Sequence, residues 1–405
     1  MGAGPAGLMA AIFAATAART PVVLLERTKD GARKIIISGG GRCNVLPSAI
    51  SPAQFVTASS ANTLRKMLLS WPLAEQRRFF EQELRIPLAL EEATGKLFPQ
   101  SNRARDVRDA LVDLASLRGV ALHFETGVRD VVPPSVGRLW RVKLADGATI
   151  EAAAVIIATG GLSVPATGSD GTGLRIAARL GHTINETYPA LTPLTAETAP
   201  HAALAGVSLT VTLSASLAHG HYQTTGGFLF THRGYSGPAV LNISHYAVRS
   251  ALAGQAPPQP IFVQWSELDT AAWDRLLREQ SGAQLGTILR RHVPARVADM
   301  LLQDAGVVAE RTLAELRRAE RTRVAHALTR YTLPWTGDEG YRKAEVTGGG
   351  VALGELDPIT LESRLHPGLF LCGELLDAFG PIGGHNFAWA WATGRTAGLG
   401  AARHR

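Results

Sequence analysis

Residues 1–20 read MGAGPAGLMAAIFAATAART, and the six residues from Gly2 to Gly7 decide the fold. Gly2-Ala3-Gly4-Pro5-Ala6-Gly7 matches GxGxxG, a pattern of low specificity alone. Its meaning depends on a strand before it, a helix after it and an acidic residue about 20 positions on. Leu8 to Ala18 is rich in Ala, Leu and Met, which predicts the helix. Pro21 to Leu25 predicts a buried strand ending at Glu26. A carboxylate there can accept hydrogen bonds from a ribose. The glycines let backbone approach a pyrophosphate, and the helix N-terminus favours its negative charge.

Three further segments agree. TIEAAAVIIATGG (149–161) is a short strand running into Ala158-Thr159-Gly160-Gly161, small residues that let backbone lie against a cofactor. LFLCGE (369–374) is an apolar strand ending in Gly373-Glu374. Gly380-Pro381-Ile382-Gly383-Gly384-His385-Asn386 then opens the helix FAWAWATGRTAG. The partial positive charge of its N-terminus suits the pyrimidine end of a reduced, anionic flavin. The two ends of the chain are therefore expected to build one site.

Bulk properties bound the rest. A chain of 405 residues suggests two or three domains, and 46% hydrophobic with 19% charged residues is ordinary for a globular protein. No apolar run approaches the ~20 residues that span a bilayer. Residues 8–18 have the apolar core of a signal peptide, but no basic residue precedes them, and a buried helix is the preferred reading. Cys43 and Cys372 are the only cysteines, so there is no disulfide framework, zinc site or CxxC redox centre, and a cytoplasmic location is expected. The net charge is +7, and 35 of the 41 basic residues are Arg, scattered except for RRAERTR (317–323). A solvated surface explains this balance better than nucleic-acid binding, which stays open.

RKIIISGGGRCN (33–44) resembles the signature of the YhiN-type flavoproteins, also called BaiN/RdsA-like. GKLFPQSNRARDVRDAL (95–111), the ATGG segment through His182, FTHRGYSGPAVLNIS (230–244) and residues 347–394 are similar to the same family, in its order. The resemblance implies an α/β, Rossmann-like FAD-binding domain split by two insertions, one β-barrel-like and one helical. The expected boundaries are 1–185 and 346–405 for the FAD domain, 186–265 for the β-rich insertion, 266–330 for the helical one, and 331–345 for a return strand. Alternating runs such as VSLTVTLSASL (207–217) and the helical periodicity of 266–330 agree. Ser266 with Asp269 reads as a capping box, and YRKAEVT (341–347) as a strand. FAD is the expected cofactor, bound non-covalently, with NAD(P)H a possible diffusible donor.

The strand that should feed Gly2 is absent, since only Met1 precedes it. Such a strand is central and buried on both faces, and losing ~5 apolar side chains at ~1.5–3 kcal/mol each rivals a domain's whole stability. The native protein is therefore expected to begin several residues earlier, with a Val/Ile-rich strand; the alternative is a truncated, weakly flavinated protein.

Gly39, Gly40 and Gly41 allow amides to pack against a planar ring or phosphate. Arg42 can neutralise pyrophosphate or hold an acidic substrate, or form a structural ion pair. Asn44 can donate and accept at the flavin's polar edge. Cys43 is expected near the flavin, its pKa lowered beside Arg42, as a cofactor contact and weak catalytic candidate, against an inert buried thiol. Glu374 stands where flavoproteins commonly carry Asp; it can reach a ribityl hydroxyl, with Asp377 sharing that role. His385 can contact the pyrimidine ring or act as an acid, against a packed histidine. Tyr235 and His232 are weak proton-donor candidates in a stretch that can line a substrate pocket, or simply turn between strands. Lys343 and Glu345 are weak candidates to face the flavin. The resemblance extends the expected cofactor contacts to Arg27, Lys34, Val128 and Phe387, beside Gly383, Gly384 and Asn386.

GSDGTG (168–173) follows Pro165 and reads as a loop and helix cap, so a second dinucleotide domain is not expected. The leading reading is an FAD-dependent oxidoreductase acting on a small molecule, with electrons from NAD(P)H or to oxygen, and no membrane partner. The alternatives are an RNA-acting flavoprotein resembling GidA-like tRNA-modifying enzymes, and a non-catalytic flavin sensor or truncated paralogue.

Overall fold

The computed structural model describes residues 1–17, 20–135, 139–217, 220–254 and 259–404, with the side chains of residues 217 and 220 left out. The chain divides into two compact units, Met1–Pro189 with Glu345–Arg405, and Ala190–Ala344.

In the first unit the GxGxxG turn leads directly into helix α1 (Pro5–Ala17). Ala18, the last residue expected in it, lies outside the described residues. The helix carries no charge and buries Ala6 to Ile12 continuously, as befits one covered on all sides. Strand β1 (Val23–Leu25) follows, then β2 (Lys96–Pro99), which pairs antiparallel with Leu88–Glu91. Strand β3 (Ala121–His123) pairs parallel with β1. After an antiparallel meander of Val128–Val132, Trp140–Leu144 and Thr149–Ala152 comes β4 (Val155–Ile157). Helix α2 (Thr172–Arg179) starts at Gly171, whose left-handed backbone makes the expected loop and cap. The all-buried β5 (Val346–Val351) and β6 (Leu369–Leu371) follow, with β6 parallel to β4.

The two parallel pairs are bridged by the first residues of the chain. The Met1 amine donates to Ile156 O (2.9 Å), Ala158 N donates to Met1 O (3.0 Å), and Gly2 N donates to Leu25 O (2.8 Å). Parallel neighbours require crossovers, which α1 and the segments between the strands supply. Helix α3 (His385–Arg403) packs along α1. Gly394 and Gly398 set this approach: a Cβ on either would collide with the carbonyl oxygens of Ala6 and Ala10.

The second unit is a seven-stranded antiparallel sheet with helices. Its long hairpin, Ser208–Leu217 with Gly220–Thr231, shares one core with the helical stretch, in which Phe228, Trp265, Trp273, Leu301 and Leu328 are all buried. The stretches expected as β-rich and helical insertions share this hydrophobic core and lie in one compact unit. Tyr331–Thr332 and Gly337–Asp338 are short strands of this sheet. Residues 341–343 turn rather than extend, and the strand of that region begins at Val346. The expected capping box also differs. Asp269 itself caps Thr270–Leu277 by accepting from Ala272 N (2.7 Å), while the Ser266 hydroxyl accepts from Trp273 Nε1 (3.2 Å).

Candidate functional site

A cavity of about 810 Å³ runs through the first unit, lined from both ends of the chain. That is within the range of about 300–1,000 Å³ usual for ligand clefts. Gly2, Gly4, Pro5 and Ala6 line it where α1 begins. A Cβ on Gly4 would meet no protein atom within 4 Å, so the turn leaves open space there. Gly7 does not line the cavity; it packs against the Gly2 carbonyl and holds the turn to the helix.

Beside this turn, Glu26 lines the cavity at the end of β1. Its buried carboxylate accepts from Ala3 N, Thr28 N and Thr28 Oγ1, each at 2.7 Å. Arg27, Val128 and the Glu125–Gly127 segment line the same region, where Arg27 pairs with Asp170. Ala158, Thr159 and Gly160 line the wall after β4, and Gly373 and Glu374 the wall after β6. Glu374 is not a free carboxylate. It accepts from Lys34 Nζ (2.5 Å), Ser163 Oγ and Thr347 Oγ1 (3.0 Å), and Lys34 also lines the cavity.

The other wall is built from Gly39, Gly40 and Asn44, from Lys96 at the start of β2, from Glu345, and from Gly383, Gly384, Asn386 and Phe387 at the start of α3. Asn386 is held by Gly380, donating to its O (3.0 Å) and accepting from its N (2.9 Å). Lys96 runs beside the α3 N-terminus: a Cβ on Gly383 would lie 3.2 Å from its Cε. Glu345 is exposed and lines the cavity; the protein atoms crowded around it raise its pKa above the ordinary carboxylate value, against the opposing field of Lys96.

Several expected residues lie elsewhere. Gly39 and Gly40 take left-handed backbone, so the chain swings Gly40 and Asn44 to the cavity and turns Arg42 and Cys43 away. Arg42 pairs with Glu91 (3.0 Å) and stacks 4.0 Å over the Phe98 ring; Gly41 also stands outside the lining. Cys43 is fully buried and outside the cavity lining, and desolvation pushes its thiol up to about 12. Gly161 faces Thr347 rather than the cavity. Asp377 stands outside the cavity lining, apart from Glu374, and its Oδ2 accepts from Thr57 Oγ1, Ala58 N, Ser59 Oγ and Asn185 Nδ2 at 2.7–3.1 Å. His385 is turned from the lining, packs edge-on against Phe55 (6.2 Å), and is held by burial to about 4.

Tyr235, His232 and Lys343 belong to the second unit. Tyr235 is buried in its core, with its hydroxyl on His201 Nδ1 (3.0 Å) and its pKa raised by desolvation. His232 and Lys343 are exposed in turns. Sequence reasoning assigned no role to Lys96, Glu125–Gly127, Arg129 or Asp170, all of which line the cavity. A single lysine opening KLFP carries no pattern that separates it from a surface residue.

The arrangement suits FAD. A dinucleotide turn with open space over Gly4, a strand-end carboxylate and a helix N-terminus at the far end match the successive parts of an elongated dianion with a planar ring. Over residues 1–400 the chain matches the sequence profile of the HI0933-like protein Rossmann domain. It is 33% identical over 401 residues to the ribosomal RNA dihydrouridine synthase of Escherichia coli K12, covering 97% of this chain and 94% of that protein. It is 32% identical over 407 residues to the 3-dehydro-bile acid delta(4,6)-reductase of Clostridium scindens, covering 99% and 98%. Among solved structures, the 3-ketosteroid delta1-dehydrogenase of Sterolibacterium denitrificans aligns at a TM-score of 0.51 and 13% identity, covering 100% of this chain and 98% of that one. An open flavocytochrome c3 fumarate reductase aligns at 0.51 and 16%, covering 100% and 77%. Both show the shared fold.

Proposed function

Because the chain belongs to the HI0933-like family of FAD-dependent oxidoreductases, we propose that it reduces a carbon–carbon double bond conjugated to a carbonyl. The observation that carries this reading is a single cavity joining a dinucleotide turn to a wall with Lys96, Glu345 and the α3 N-terminus. The names of the two relatives support it. Dihydrouridine is uridine with its ring double bond saturated, and a delta(4,6)-reductase saturates double bonds of a 3-oxo compound. The two substrates differ, but the bond reduced is of one kind.

Gly2 to Ala6 and the α1 N-terminus would hold the pyrophosphate, and Glu26 the adenosine ribose, with Arg27 and Val128 beside it. The Lys34–Glu374 pair would face the ribityl chain. Gly40, Asn44, Gly383, Gly384, Asn386 and Phe387 would surround the ring. FAD bound there supplies two-electron hydride chemistry. The chain's own part is to exclude water from the ring, place positive potential at its pyrimidine end through Lys96 and α3, and deliver a proton. A diffusible reduced nicotinamide is the proposed electron source.

A free small molecule is the leading substrate. An RNA-borne uracil is the second reading, favoured by the Escherichia coli relative's name and by the basic pI of about 9.7. The test reduces the FAD-loaded protein anaerobically with NADH or NADPH, then offers a 3-oxo-4-ene steroid or unmodified ribosomal RNA. A product carrying two added hydrogens supports the reading and identifies the substrate class. RNA as substrate should also show affinity falling steeply with salt. A reduced flavin that reacts with neither but is rapidly reoxidised by oxygen would refute the proposal.

A further inference from the structure

Most of the ionisable groups that line the cavity are occupied. Glu26 is taken up by Ala3 and Thr28, Glu374 by Lys34, Ser163 and Thr347, Asp170 by Arg27, and Arg33 by Asp30. Glu125 and Arg129 flank the segment whose Thr126 N donates to Glu26 O, so they stand at the opposite end from α3. Cys43, His385 and Tyr235 are turned away or buried elsewhere. Lys96 and Glu345 remain on the α3 side. Among the described residues neither side chain is held by an ion pair or a side-chain hydrogen bond. Their backbones, in contrast, are anchored. Lys96 lies in the ladder of β2, and the Glu345 carbonyl accepts from Ser163 Oγ (3.3 Å) just before β5. A carboxyl and an ammonium fixed at their roots and free at their tips, facing a walled cavity, are suited to substrate rather than to each other.

We propose that Glu345 is the catalytic acid of this cavity and that Lys96 is the positioning charge beside it. This rests on the reading that a carbonyl-conjugated double bond is reduced. Bound, reduced FAD would supply the hydride to the carbon remote from the carbonyl, with the π electrons moving onto the carbonyl system. Glu345 then gives its proton to the carbon next to the carbonyl. The O–H bond breaks, a C–H bond forms, and the carboxylate left behind is stabilised by Lys96 until water reprotonates it. Net, the alkene gains one hydride and one proton. Glu345 is accessible from the cavity, as a donor must be, and its carboxyl is shifted upward from the ordinary carboxylate value, the direction that role needs. Lys96 is the charged group facing it, while Lys34 and Glu374 neutralise each other in the same cavity.

The test is E345Q, which keeps shape and removes the proton, with K96M as its comparison, both in the FAD-loaded protein. E345Q should bind FAD within about threefold of wild type and be reduced by nicotinamide at an unchanged rate. Its reoxidation by the alkene should slow about 10²–10⁴-fold, the range for loss of a general acid. Infrared spectra of the loaded protein followed through an acid-to-neutral pH titration, which need no substrate, should show a protonated-carboxyl band that persists above the ordinary carboxylate range and that E345Q abolishes. If no alkene reoxidises the wild type, the proposed function falls, and the infrared band alone decides on Glu345. A missing band, or E345Q turning over at the wild-type rate while K96M loses the reaction, overturns the assignment.

Discussion

Gly4→Ala and Gly7→Ala place the same methyl group three residues apart in one turn, and the structure separates their effects. At Gly7 the new Cβ would lie 2.9 Å from the Gly2 carbonyl carbon and closer still to its oxygen. Carbon contacts are ordinarily about 3.5–4.0 Å, so turn or helix must move by more than half an ångström. Neither side can yield cheaply. Gly2 N is bonded to Leu25 O, and Met1 O to Ala158 N, so movement strains β1 and β4 together. Overpacking of this kind costs about 1–3 kcal/mol, and backbone on both sides puts Gly7→Ala near the upper end. At about 2–4 °C per kcal/mol for a unit of this size, the apo protein should melt about 6–12 °C lower and bind FAD more weakly. At Gly4 the methyl meets no protein atom within 4 Å. A small loss in helix capping is offset by a less flexible unfolded chain, so the apo Tm should stay within about 2 °C. The methyl instead occupies the space assigned to pyrophosphate, and FAD affinity should fall at least tenfold, about 1.4 kcal/mol. Calorimetry of the apo proteins and fluorescence titration with FAD measure both quantities. A Gly7→Ala protein melting with wild type, or a Gly4→Ala protein binding FAD as wild type does, would refute this division of roles.

Glu26→Ala should lower FAD affinity about ten- to hundredfold through loss of a charge-assisted contact, while Glu26→Gln, which keeps part of the Ala3–Thr28 network, should lose less; equal and unchanged dissociation constants would remove Glu26 from the ribose. The flavin should separate from the polypeptide on denaturation and filtration, since non-covalent binding is expected; colour retained with the chain would show a covalent link. Cys43 and Cys372 are both fully buried with thiols held at about 12, so a thiol reagent at pH 8 should modify neither in the folded protein and both after denaturation. Burial holds His245 to about 3 and His385 to about 4, below the unfolded value near 6.5. Their contribution to stability is therefore complete above pH 6.5 and lost as pH falls toward the folded values, on the order of 2 kcal/mol each between pH 7 and 5, and a urea midpoint that stays flat over that range would contradict it.

The elements that build the cofactor end were readable because their signals are local. GxGxxG, an Ala-rich helix and an apolar strand ending in Glu26 each state a backbone requirement within a few residues, and the structure places all three together. The readings that failed needed direction rather than presence. SGGGRCN runs along the cavity, but successive residues in a left-handed turn diverge, so Gly40 and Asn44 face inward and Arg42 and Cys43 do not. The same holds on α3, where Asn386, Phe387, Trp389 and Ala390 line the cavity and the intervening Ala388 and preceding His385 are carried away from it. Asp377 was misread for a different reason. Its partners Thr57, Ala58, Ser59 and Asn185 lie far off in the chain, and only the fold gathers them.

Lys96 marks the limit of sequence reading, and Glu345, expected to face the flavin only from its place before TGGG, the point where chemistry enters. They stand 249 positions apart in the sequence and on separate elements, and nothing local to either one names the other as its neighbour. Binding a long dianion needs many amides and small residues in fixed order, which leaves a spaced motif. Moving one proton needs a single carboxyl in the right surroundings, which leaves none. The fold satisfies its neighbours: Glu374 is taken by Lys34 and Asp170 by Arg27, which leaves Glu345 as the carboxyl on the α3 wall to which the proposal gives the proton. Relatives on the same scaffold can therefore keep the cofactor motif intact while substrate and rate change through residues that no motif records.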